Sequence, residues 1–229
     1  MTNLNKLKKD EILWLYNNHC KEHRHRYIEH MGCFEKERGN LEDCKIREEK
    51  IGFLDIETSS LNATFGYVIS YCIKELDGIV RKRSITPDEI RTKQYDARLL
   101  KTFYLDSKDF DRFVVYWGKD RRFDIPFLRS RCLRNNLDFP TYKEVLVTDL
   151  YDLVKGKLKI GRNSLVSACS YLGIPAKGTQ MCPQIWMDAG TGDQKAIDTI
   201  LEHNIEDVIS TEALWKRMSV FALNPKTSI

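Results

Sequence analysis

The sequence predicts an α/β protein: a mixed sheet, with an antiparallel hairpin and parallel strands, flanked by helices and preceded by a small zinc knuckle. Three observations carry this reading. Short β-rich runs alternate with helical patterns from Ile51 onward, which is the order expected of a sheet covered by helices. Asp77-Gly78 separates two such runs, and Asp-Gly in that setting makes a tight hairpin. Near the N-terminus, four of the five histidines crowd between and beside Cys20 and Cys33. The expected organisation is residues 1–48 as a helix and knuckle, 49–220 as the α/β domain and 221–229 as a tail.

Taken in order, Leu4 to Asn17 reads as a helix with Leu7, Ile12 and Leu15 on its apolar side. Glu35 to Lys50 is highly charged and reads as a linker or exposed helix. Ile51 to Ile56 is the first strand; Phe65 to Glu75 and Ile79 to Ile85 are the hairpin strands. Tyr95 to Tyr104 reads as a helix, and Phe113 to Trp117 as a short buried strand ending at Gly118. Ile125 to Asn136 is helical, with Pro126 tolerated in its first turn. Val145 to Leu150 is a strand, Asn163 to Leu172 a short helix, and Asp193 is placed to N-cap a long helix through Lys216.

With 229 residues the chain can bury one sizeable core. No apolar run approaches the roughly 18–20 residues of a membrane helix. Met1 to Asp10 is polar and basic, which predicts an intracellular, cytoplasmic protein. The net charge is +4, from 37 basic and 33 acidic residues. Carboxylates gathered in one metal site would leave the remaining surface more basic, as suits a polyanionic partner. Seven cysteines in such a chain argue against a disulfide framework.

Two clusters carry chemistry. The first is Cys20-x2-His23-x-His25-x4-His30-x2-Cys33, with Cys44 as a spare thiol. Thiolate and imidazole are the donors of structural Zn²⁺, which takes four. Which four of Cys20, His23, His25, His30 and Cys33 bind is left open. The second begins with Asp55 and Glu57 in Phe53-Leu54-Asp55-Ile56-Glu57-Thr58. Residues two apart on a strand share a face, so the carboxylates point together, and a hard divalent cation relieves their repulsion. Asp124 lies between a strand and a helix, and His203 and Asp207, four apart, share one helix face.

FLDIET, WGKDRRFDIPFLRSR and EHNIEDV resemble the three motifs of the DEDD 3′–5′ exonucleases. The match is to the YprB-type ribonuclease H-like group, related to the proofreading domains of family B DNA polymerases. It runs from about Ile51 to Met218. The resemblance implies a ribonuclease H-like fold, with Asp55, Glu57, Asp124 and Asp207 as ligands of two Mg²⁺ or Mn²⁺ ions and His203 as general base. One departure stands out: the histidine sits four residues before the last aspartate, the spacing of the tyrosine subclass, whereas the histidine subclass spaces it five before. Asp120 and Glu206 are alternatives for the third and fourth carboxylates, and Asp149 for an outer position.

The expected function is metal-dependent 3′–5′ hydrolysis of single-stranded nucleic acid ends, DNA slightly favoured over RNA. A structure-specific endonuclease or resolvase, or a non-catalytic zinc-containing nucleic-acid-binding module, are the alternatives. Thr58 could contact the terminal nucleotide or cap the local turn. Arg121, Arg122, Arg129 and Arg131, and a second stretch of Lys155, Lys157, Lys159 and Arg162, could track phosphates. Tyr67, Phe123 and Phe127 could stack on bases. A proofreading role would call on a replication or repair partner.

Overall fold

The computed structural model describes residues 9–20, 22–38, 49–141, 144–175 and 179–222. Leu4, Leu7, Lys21 and Cys44, and the tail beyond residue 222, lie outside them. The chain forms two units, Met1–Glu48 and Glu49–Ile229.

In the first unit, helix α1 (Lys9–Asn17) leads into a tight loop, a short 3₁₀ turn (Tyr27–Glu29) and helix α2 (Met31–Arg38). Its buried apolar residues are Leu15, Tyr27 and Phe34, with Cys20 and Cys33 among them.

The second unit is built on five strands: β1 (Ile51–Thr58), β2 (Val68–Glu75), β3 (Val80–Ser84), β4 (Arg112–Val115) and β5 (Leu146–Asp149). Their order across the sheet is β3-β2-β1-β4-β5. The first three are antiparallel neighbours, while β4 lies parallel to β1 and β5 parallel to β4. The mixed sheet read from the sequence is the one observed. Asp77 takes the left-handed backbone (φ 54°) at the hairpin, and Glu212 ties the turn down by accepting from its N–H at 2.7 Å.

Helices α3 (Pro87–Arg91), α4 (Ala97–Ser107), α5 (Asp124–Arg134), α6 (Leu150–Lys157), α7 (Leu165–Tyr171), α8 (Pro183–Gly190) and α9 (Gln194–Met218) complete the unit. Asp193 caps α9, its carboxylate accepting from the Ala196 N–H at 2.7 Å. Leu54 and Ile56 of β1 face the core shared with α4 and α5. Phe53, on the opposite face, packs with Val208 and Leu214 of α9. Strand alternation therefore sends Asp55 and Glu57 toward α9.

The structure corrects several element readings. The strand expected from Phe65 starts at Val68, because Asn62 folds the chain into a turn, accepting from the Phe65 and Gly66 N–H groups. Helix α6 occupies the basic stretch after β5: the Asp149 carboxylate accepts from the Tyr151 N–H and starts a helix that buries Leu150 and Val154. Helices α3 and α8 were also not read from the sequence; both are short and begin at a proline, where a fixed φ favours a first turn.

Candidate active site

The site forms where β1 stops having a strand on one side. Parallel pairing of β1 with β4 ends at Phe53↔Val114. Beyond it, the Ile56 N–H is taken by a side chain: Asp124 Oδ1 accepts it at 3.2 Å. Asp124 is the first residue of α5. It is buried, and that burial, together with the facing Asp55 carboxylate, pushes its pKa well above the usual carboxylate range. On the other side of β1, the register with β2 shifts between Glu57 and Thr58, as bulges commonly do beside functional sites.

Helix α9 brings the remaining groups. Asn204 is fully buried and donates from Nδ2 to Asp55 Oδ2 at 2.6 Å. His203 Nε2 lies 3.8 Å from Glu57 Oε1 and 3.6 Å from Asp207 Oδ2. The donor atoms of Glu57, His203 and Asp207 all lie within 4.8 Å of one another. Thr211 donates to the Asp207 carbonyl at 2.8 Å. The exit of β1 thus gathers Asp55, Glu57, Asp124, His203 and Asp207, contributed by a strand, the start of α5 and the middle of α9.

The loop from β4 to α5 is held from below by Asp149, whose side chain is fully buried. Its oxygens accept from the N–H groups of Trp117 and Lys119 at 2.9 and 3.1 Å. Trp117 and Arg121 both adopt left-handed backbone (φ 63° and 68°), a strained state that non-glycine residues keep only when neighbours enforce it. Gly118 is obligatory for space: a Cβ there would come within 2.1 Å of Asp124 Oδ2.

The other residues singled out from the sequence fall as follows. Thr58 is buried and its hydroxyl donates to the Ser60 carbonyl at 2.9 Å, inside the turn after β1. Arg122 pairs with Asp149 at 2.6 Å and also with Asp152, and Arg129 pairs with Asp120 at 2.8 Å. Arg121 is exposed. Arg131 is not a surface residue: it forks onto Asp96 through Nε and Nη2 at 2.9 and 2.7 Å, in the interior. Glu206 accepts from the Thr179 N–H at 3.1 Å. Tyr67 is buried, stacked on Tyr95 with its hydroxyl donating to the Gly190 carbonyl. A cleft of about 440 Å³ beside the Asp124 segment is lined by Leu61, Asn62, Arg122, Phe123, Phe127 and Arg134, among others.

Two contributors escaped the sequence reading. Asn204 signals itself only as a polar residue on the apolar side of α9, and Gly118 only as a strand-ending glycine.

The donor set fits divalent cations. A buried carboxylate facing a second one is relieved by positive charge, and oxygen donors suit hard cations. The Asn204 carbonyl oxygen, buried and without a hydrogen-bond partner among the described residues, adds to the local excess of acceptors.

A mixed sheet with acidic side chains converging at its first strand defines a ribonuclease H-like domain. Residues 52–219 match the RNase_H_2 family model of the RNase_H superfamily, and the chain belongs to that superfamily. The fold is similar to the family B DNA polymerase from the hyperthermophilic archaeon Pyrobaculum calidifontis, with a TM-score of 0.55 and 19% identity over 76% of this chain. The match takes in 25% of that polymerase, so the chain spans about a quarter of its length. No curated protein matches the chain. Superfamily membership supports a nuclease-type function. No described helix is long and apolar enough to cross a membrane.

Proposed function

We propose that the chain is a metal-dependent 3′–5′ exonuclease acting on single-stranded nucleic acid ends, with DNA slightly favoured over RNA. The observation that carries this reading is that Glu57 and Asp207 meet the imidazole of His203 at the exit of β1, the strand on which Asp55 faces the buried Asp124.

Asp55, Glu57, Asp124 and Asp207 would hold two Mg²⁺ or Mn²⁺ ions. When bound, such ions supply the charge that activates water and offsets the developing charge on the departing 3′ oxygen. The residues of the chain do the rest. His203 Nε2 faces the Glu57 and Asp207 carboxylates, where it orients the attacking water and accepts its proton. Asn204 fixes the Asp55 carboxylate by its hydrogen bond. Gly118 leaves room for Asp124. Asp149 anchors the loop that carries both.

Arg122 is engaged with the buried Asp149 and Arg129 with Asp120 at the surface, so the exposed face of the loop is led by Arg121, the arginine best placed to meet a backbone phosphate. The cleft lined by Phe123 and Arg134 offers an aromatic edge and positive charge to the terminal nucleotides.

The test is incubation of end-labelled oligonucleotides with Mg²⁺ or Mn²⁺. A ladder shortening stepwise from the 3′ end is expected. A discrete internal cut would make the protein an endonuclease, and binding without cleavage would make it a non-catalytic module.

A further inference from the structure

The first unit contains a second set of metal-ligating side chains with a different chemistry. We infer that it binds one structural Zn²⁺ through Cys20 Sγ, His23 Nδ1, His25 Nε2 and Cys33 Sγ. The donor atoms of these four residues all lie within 4.8 Å of one another. The finer distances match a shared ion. Zn–S bonds of about 2.3 Å, Zn–N bonds of about 2.0 Å and a tetrahedral angle place sulfur and nitrogen about 3.5 Å apart. His23 Nδ1 lies 3.6 Å from Cys20 Sγ and 3.5 Å from Cys33 Sγ.

The backbone is already folded for this purpose. The His23 N–H points at Cys20 Sγ at 3.4 Å. The Arg24 N–H donates to the Cys20 carbonyl at 2.9 Å, and Arg24 takes left-handed backbone (φ 61°). The chain then returns so that the Cys20 N–H donates to the His25 carbonyl at 2.9 Å. This loop turns the Cys20, His23 and His25 side chains to one point.

The tautomer of His25 follows from its neighbour. Its Nδ1 lies 3.4 Å from the Arg26 carbonyl oxygen, which can only accept, so the proton sits on Nδ1 and Nε2 is left to ligate. His30 falls outside the set of four. Its Nδ1 is 3.4 Å from Cys33 Sγ, placing it to donate to that thiolate as a supporting residue.

Among the described residues, Cys20 and Cys33 are buried with Leu15, Tyr27 and Phe34, with Trp14, Ile28 and Met31 packed against them, and form no disulfide. A unit of this size cannot rely on so small a core and needs a staple. Two sulfur and two nitrogen donors select Zn²⁺ over Mg²⁺. Four protein donors close the tetrahedron, so the ion is structural and takes part in no hydrolysis.

The experiment uses the 229-residue chain. Metal analysis after extensive dialysis is expected to find one zinc per chain. The zinc-stripped protein titrated with Co²⁺ is expected to show tetrahedral ligand-field bands and thiolate-to-cobalt charge transfer. Cys20→Ser and Cys33→Ser should lose both. His30→Ala should keep the bands with affinity weakened about 10–100-fold, the cost of losing a group that supports a ligand. His25→Cys preserves a four-donor set, so it separates lost ligation from failed folding: its charge-transfer absorption should rise with the metal retained. Substoichiometric zinc, an octahedral cobalt spectrum, or a His25→Cys spectrum identical to wild type would overturn the assignment.

Discussion

The two donor clusters of this chain solve opposite problems. Around Cys20, His23, His25 and Cys33 the donors are soft, and with an ion bound no position would remain for a substrate. At the exit of β1 the donors are mostly carboxylate oxygens, contributed by a strand and two helices. The first suits an ion that holds a small unit together, the second ions that meet a phosphate. The same elementary rule, which donor prefers which cation, separates a staple from a reactive centre.

Several measurements break or sharpen that contrast. The largest effect is expected from Asp55→Asn, which should lower cleavage by at least about 1000-fold, the upper end of what losing one preorganised polar group costs, while the zinc content stays at one per chain. Cys33→Ser should do the reverse for metal, removing zinc.

Arg131→Ala probes the scaffold instead. It strands Asp96, which also accepts from the Val68 N–H at 2.9 Å, and breaking a buried pair of this kind costs about 3–5 kcal/mol; urea unfolding measures it. Gly118→Ala should cut cleavage by displacing the Asp124 carboxylate, with a smaller loss of stability. Asn204→Ala should lower activity about 10–100-fold, as expected for a residue that orients a ligand.

The smallest effect concerns acid stability. Burial alone would raise the pKa of Glu212, but the hydrogen bonds from the Asp77 N–H, Lys74 and Lys216 outweigh it and hold the carboxyl below its ordinary value. A depressed folded-state pKa gives stability that is present above the unfolded value and lost as pH falls through the folded one. Glu212→Gln should therefore flatten the decline of stability on acidification, read as melting temperature against pH.

Much of the site was legible in the sequence because it sits where patterns break. Asp55 and Glu57 interrupt an apolar strand at period two. His203 and Asp207 mark one side of a helix whose apolar residues hold it to the sheet. What the sequence did not disclose is how carboxylates reach one another across the fold. Asp124 meets β1 only because β4 stops pairing, and nothing local announces that gap. Arg131 and Arg122 look like surface charge in a basic run, yet the tertiary partners Asp96, Asp149 and Asp152 draw them inward. The strand expected from Phe65 was displaced by an asparagine turn that competes with pairing. Helix α6 was hidden because the basic residues at its end read as a charged stretch, while its start depends on a cap from the preceding strand.

The central claim is that the carboxylates at the exit of β1 form a hydrolytic site. Its most direct test compares wild type with Asp207→Asn on a 5′-labelled single strand in Mg²⁺. The account predicts a ladder of progressively shortened products from wild type and intact substrate from a folded Asp207→Asn protein. Equal cleavage by the two would contradict it.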